Sequence, residues 1–93
     1  MAEENGNDVD DSAADVEDIQ PMSFDIFVLS LNTSALLQLG EGGELDLPLA
    51  RQTIDILAML EEKTRGNLSG AEERLLHQVL FDLRMRYARK VPA

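Results

Sequence analysis

From residue 22 onward the chain falls into three apolar-periodic stretches, each with its own start and stop signals and none with the strict alternation of a strand. The first runs from about Phe24 to Leu39. Ser23 is placed to cap it, Asp25 puts a negative charge in the first turn, and Gly40 follows as a left-handed terminator. One stripe, Phe24, Phe27, Val28, Leu31, Ala35 and Leu39, keeps the three-and-four spacing of a core face. Ile26, Leu29, Leu36 and Leu37 fall outside it, which is too many apolar residues for one face. Either this helix is central and buried nearly all round, sandwiched by the other two, or its second apolar side is covered by another chain.

The second helix is predicted over about residues 47–64, after a flexible glycine-rich loop, Glu41-Gly42-Gly43-Glu44. Asp46 can cap it, and Pro48 is tolerated because first-turn N–H groups lack an intrahelical acceptor. Ala50, Ile54, Leu57 and Ala58 share one side, with Ile56, Met59 and Leu60 adjoining. Gly66 and Asn67 stop it. The third helix, about 70–89, opens on Ser69-Gly70-Ala71-Glu72, a capping box in which Ser69 and Glu72 satisfy each other's backbone N–H groups. Leu76, Val79, Leu80, Leu83 and Tyr87 follow as its core stripe, while Phe81 lies on the flank with His77 and Arg84.

The predicted fold is therefore all-α: a small three-helix domain over residues 22–93, preceded by a disordered acidic N-terminal arm over residues 1–21. Charge sharpens that division. Residues 1–20 carry eight acids and no base; the remainder carries ten acids and eight bases, so the arm holds -8 of the net -10. Such a segment buries too little apolar surface to offset the entropy of ordering. A body near -2 without a basic stripe is a poor match for nucleic acid, which needs clustered Lys and Arg. Arg84, Arg86, Arg89 and Lys90 do gather at the end of the third helix, where they complement its dipole.

Candidate chemistry is sparse. The chain has no cysteine and one histidine, His77, so disulfides, thiolate metal sites and a histidine cluster are all unavailable. No phosphate-binding glycine motif and no nucleophile-elbow serine occurs. Glu61-Glu62 and Glu72-Glu73 are neighbours on helices and so splay roughly 100° apart. The expectation is a non-enzymatic chain with no cofactor and no metal. The longest apolar-rich stretch, from Phe24 to Leu39, falls short of the roughly 20 residues a bilayer requires, and no secretory signal is evident. The expected location is the cytoplasm, with no membrane insertion.

The segments Phe27-Val28-Leu29-Ser30-Leu31, Ser34-Ala35-Leu36, Leu39-Gly40, Gln52-Thr53-Ile54-Asp55-Ile56-Leu57 and Met59-Leu60 occur in that order. Lys63-Thr64, Gly66-Asn67-Leu68, Leu75-Leu76 and Leu83-Arg84-Met85-Arg86-Tyr87 continue the series. Together they resemble a small bacterial family catalogued as a domain of unknown function, family 1844. The resemblance spans about three quarters of the chain; the short first loop and the acidic arm depart from it.

What the resemblance implies is a regulatory interaction module, similar to a cell-polarity regulator of gliding bacteria. Such a protein acts with a response-regulator partner to promote guanine nucleotide exchange on a Ras-like small GTPase, with recruitment to the cell poles and a role in motility. Exchange of that kind shifts a partner's population and needs no catalytic residue. The candidate partner-binding residues are Phe24, Ile26, Phe27 and Leu29 on the first helix, then Phe81 and Arg84 on the third. For each of them core packing is the competing role. Lys63, Thr64, Gly66 and Asn67 read as a tight connection between the second and third helices, in preference to a binding loop. The alternative function is a structural helix-pairing module that forms homo-oligomers or tethers a larger assembly.

Overall fold

The computed structural model of the chain describes residues 21–92. The acidic arm expected over residues 1–21 lies, except for Pro21, outside the described residues. The described chain forms three helices, α1 (Phe24–Gln38), α2 (Leu47–Lys63) and α3 (Gly70–Lys90), each packed against the other two. The ends fall within one residue of the sequence expectation, and the caps explain why. Ser23 Oγ accepts from the Ile26 N–H at 3.2 Å, and Asp46 Oδ1 accepts from the Leu49 N–H at 3.1 Å. At α3, Ser69 Oγ accepts from the Glu72 N–H (3.2 Å) while Glu72 Oε1 accepts from the Ser69 N–H (2.9 Å), closing the capping box. Thr64 caps the end of α2 and accepts from the Asn67 N–H at 2.8 Å, so the 63–67 segment is a tight connection.

The core is one layer deep at the centre of the three helices. Val28, Ala35 and Leu39 meet Ala50, Ile54 and Leu57 of α2 and Leu76, Val79, Leu80 and Leu83 of α3. The stripe expected on α3 is buried throughout, with Tyr87 half-buried at its edge. On α2 the face is shifted toward Thr53, which is buried although polar; Ile56 and Met59 stay exposed. Its hydroxyl donates to Gln38 Oε1 at 2.7 Å and lies 3.2 Å from the Leu49 carbonyl, so burial leaves no orphaned group.

The first helix decides one alternative left open by the sequence and corrects one expectation. It is not sandwiched: within α1 only Val28 and Ala35 are fully buried, and Ile26, Leu29 and Leu37 face solvent. Phe27 also leaves the expected core stripe. It stands roughly 100° from Val28, and α1 meets its neighbours along a narrow face centred on Val28 and Ala35.

The 39–46 connection, glycine-rich in composition, is hydrogen-bonded at both of its ends. Gly40 (φ +89°) donates to the Leu37 carbonyl at 3.0 Å, and Glu41 donates to the Leu36 carbonyl at 2.8 Å. That pair of bonds is a Schellman cap, and its left-handed residue is favoured as glycine. The Asp46 N–H then closes back onto the Gln38 carbonyl at 2.7 Å.

Candidate functional site: an outward apolar stripe and the cleft at its end

Successive residues of a helix turn by roughly 100°, so Ile26, Leu29, Thr33 and Leu37 align along one side of α1, about half a turn from Val28, Ala35 and Leu39. The three apolar members of that line are exposed. Its polar members do not make it hydrophilic. Thr33 Oγ1 donates to the Leu29 carbonyl at 3.0 Å, and Ser30 Oγ, beside the line, donates to the Ile26 carbonyl at 2.7 Å. Both hydroxyls are thus turned back onto their own helix. The first helix is apolar on two opposite sides, one filled by the core and one open.

Leu37 ends the stripe and begins a cleft of about 340 Å³ lined by Leu37, Gln38, Glu44, Leu45, Asp46 and Leu49. Three segments build it: the last turn of α1, the connection, and the first turn of α2. Leu37, Leu45 and Leu49 are 44%, 51% and 42% exposed there, far above the core leucines at 0–1%. The wall behind them is fixed. A Cβ on Gly43 would stand 2.8 Å from the Leu37 carbonyl oxygen, so only glycine lets the loop lie this close. Leu45 stays outside for a local reason: the residue at which a helix start would staple it is Ala50, already buried in the core.

Charge around this end is unevenly used. Asp46 is committed to its cap, and Glu41 Oε2 pairs with Arg86 Nη1 at 3.4 Å. Arg86 Nε also donates to Asp82 Oδ2 at 2.8 Å. That hydrogen bond, then the Asp82 charge, and to a lesser degree Glu41 hold its guanidinium protonated more firmly than usual. Glu44 has no basic partner among the described residues. A second, smaller hollow of about 190 Å³ lies between α2 and α3, lined by Arg51, Ile54, Asp55, Arg84 and Tyr87. Neither arginine has a carboxylate within ion-pair distance among the described residues, so this hollow can take a hydrogen-bond acceptor. His77 Nε2 meets Glu61 Oε2 at 2.7 Å across the same pair of helices.

The expected contact residues are therefore dispersed. Ile26 and Leu29 share the open stripe; Phe27 sits a quarter-turn or more away, exposed; Phe24 is half-buried and packs against the core. Phe81 is 67% exposed on α3, with Met85 one turn on, and Arg84 lies in the α2–α3 hollow. Sequence reading missed Leu45 and Leu49, because an apolar residue on each side of a capping aspartate reads as an ordinary helix start.

Among the described residues no group of three His, Asp or Glu side chains could hold a metal ion, and no helix is long and apolar enough to cross a membrane. Residues 21–89 match the model of a family described as Domain of unknown function (DUF1844). No curated protein and no solved structure matches the chain.

Proposed function

Taking as premise that the chain belongs to the DUF1844 family, we propose that it is a non-enzymatic regulatory module that works by binding other proteins. Its mode of action in this reading resembles that of a cell-polarity regulator of gliding bacteria. With a response-regulator partner it promotes nucleotide exchange on a Ras-like small GTPase in the cytoplasm or at the cell poles. One observation supports this most: the second apolar side of α1, with Ile26, Leu29 and Leu37 in line and exposed. An exposed apolar line of this kind, backed by a packed core, marks an interaction surface. Preferential binding of a GTPase in one nucleotide state shifts its population without a catalytic group, which suits a body whose ionisable residues lie on its surface.

The test is release of labelled GDP from the GTPase, measured with the full chain alone and with the response-regulator partner. Acceleration under either condition, lost in the Ile26→Ser/Leu29→Ser variant, is the expected result; no acceleration under both removes the reading. The same open side of α1 also supports the helix-pairing alternative. Sedimentation at high micromolar concentration separates the two, since a strict monomer that binds no partner leaves no role for helix pairing.

A further inference from the structure

The cleft at the end of the α1 stripe has features that a merely tolerated surface groove lacks. Its back wall is held by the Schellman cap, by the Asp46-to-Gln38 backbone bond, and by the Thr53 hydroxyl on Gln38. Its floor offers three leucines from three different segments, all turned outward. A hydrogen-bonded frame that keeps leucines in water is costly in solvation and makes sense where those leucines are covered in use.

The rim identifies what covers them. Glu44 stands on the cleft without a basic partner among the described residues, Asp46 beside it spends one oxygen on its cap, and Glu41 shares Arg86. A second copy docked through the same cleft would set Glu44 and Asp46 against their own counterparts, and like charges brought face to face disfavour self-pairing. We propose that this cleft anchors an amphipathic segment of a partner protein that presents leucine-type side chains flanked by lysine or arginine. The apolar anchors fill the space between Leu37, Leu45 and Leu49, and a flanking cation reaches Glu44. The rest of the segment lies along the Ile26–Leu29 stripe, with which the cleft is continuous through Leu37.

This inference rests on the interaction-module reading, and its test is chosen to fail separately. A synthetic helical peptide with leucines at three-and-four spacing and lysines elsewhere is titrated into the isotope-labelled full chain, and resonance shifts are followed. The expected shifts are at Leu37, Leu45 and Leu49. Leu45→Ser weakens binding at least about tenfold, Glu44→Gln lowers the affinity and its salt dependence, and a leucine–glutamate peptide does not bind. Both substitutions fall on exposed side chains, so neither should unfold the body. Shifts confined to residues 1–20 would mean simple attraction of a polycation to the arm and overturn the proposal. So would a Leu45→Ser variant of unchanged affinity, equal binding of the glutamate peptide, or a peptide-free dimer that Leu45→Ser dissociates. Cleft binding without GDP release removes the exchange reading alone; GDP release without cleft binding removes this inference alone.

Discussion

Thr53 donates its hydroxyl to Gln38 Oε1 at 2.7 Å, tying the buried face of α2 to the last turn of α1. Thr53 is 5% exposed and is the one polar side chain in the core of the described residues. Gln38 is half-buried, so its oxygen can turn to water if the partner is removed. Thr53→Val keeps the shape and deletes the donor, and should cost about 1 kcal/mol in urea denaturation. A larger loss of amide-exchange protection is expected in residues 36–39 than in α3, because the bond fixes the end of α1.

Leu57 and Leu83 are fully buried on facing helices. Either leucine changed to alanine should cost about 2–5 kcal/mol, including the cavity left behind. A body of this size commands a total on the order of 5 kcal/mol. Each variant should therefore keep only about 0–3 kcal/mol of that total, read as a lowered urea midpoint followed by helical circular dichroism.

The capping box at Ser69 should be worth about 1 kcal/mol. Ser69→Ala removes the acceptor for the Glu72 N–H and leaves the Glu72 side chain its reverse bond only. A lowered thermal midpoint with an unchanged far-ultraviolet spectrum is the expected outcome; equal midpoints would show that the first turn of α3 is held by packing alone.

Gly43→Ala places a methyl 2.8 Å from the Leu37 carbonyl oxygen and 3.0 Å from the Leu37 Cβ. The loop must move, at about 1–3 kcal/mol, the usual range for overpacking. Resonances of Leu37 and Leu45 should shift while those of Phe81 and Met85 on α3 stay in place.

The two halves of the candidate contact set should separate by stability. Ile26→Ser with Leu29→Ser should change folding stability by no more than about 0.5 kcal/mol per site, as exposed positions do, while partner binding falls. Phe24→Ala, half-buried against the core, should cost about 2 kcal/mol. If Phe24→Ala proved neutral for folding and damaging for binding, the aromatic ring would belong to the contact surface instead.

The sequence was most legible where each element carried its own instructions. Ser69 through Glu72 mark where α3 begins, and the Leu76-to-Tyr87 spacing assigns its buried side without reference to any other helix. It was least legible where two segments decide together. That Thr53 is buried depends on Gln38, fifteen residues earlier, and nothing in the 53 neighbourhood reveals it. The excess of apolar residues on α1 was plain, but whether the extra leucines faced a neighbouring helix or water depended on how far α2 and α3 wrap around it. Glycine content suggested looseness between residues 40 and 44, whereas the chain uses Gly40 for a left-handed cap and Gly43 for close approach. Leu45 and Leu49 became a site only once the closed turn brought Leu37 beside them.

A helix with apolar lines on opposite sides can roll onto its neighbours in two ways during folding. In the wrong roll, Ile26, Leu29 and Leu37 would face α2 and α3, and Val28, Ala35 and Leu39 would face water. Bulk greasiness does not discriminate strongly between these, so the competing arrangement is a source of frustration. The native roll is selected by shape and polarity: Ala35 is small enough for close approach, and only in this orientation does Gln38 meet Thr53. Residues suited to holding a partner are thus the same ones that offer the chain a competing arrangement, which a bound partner would remove by covering them.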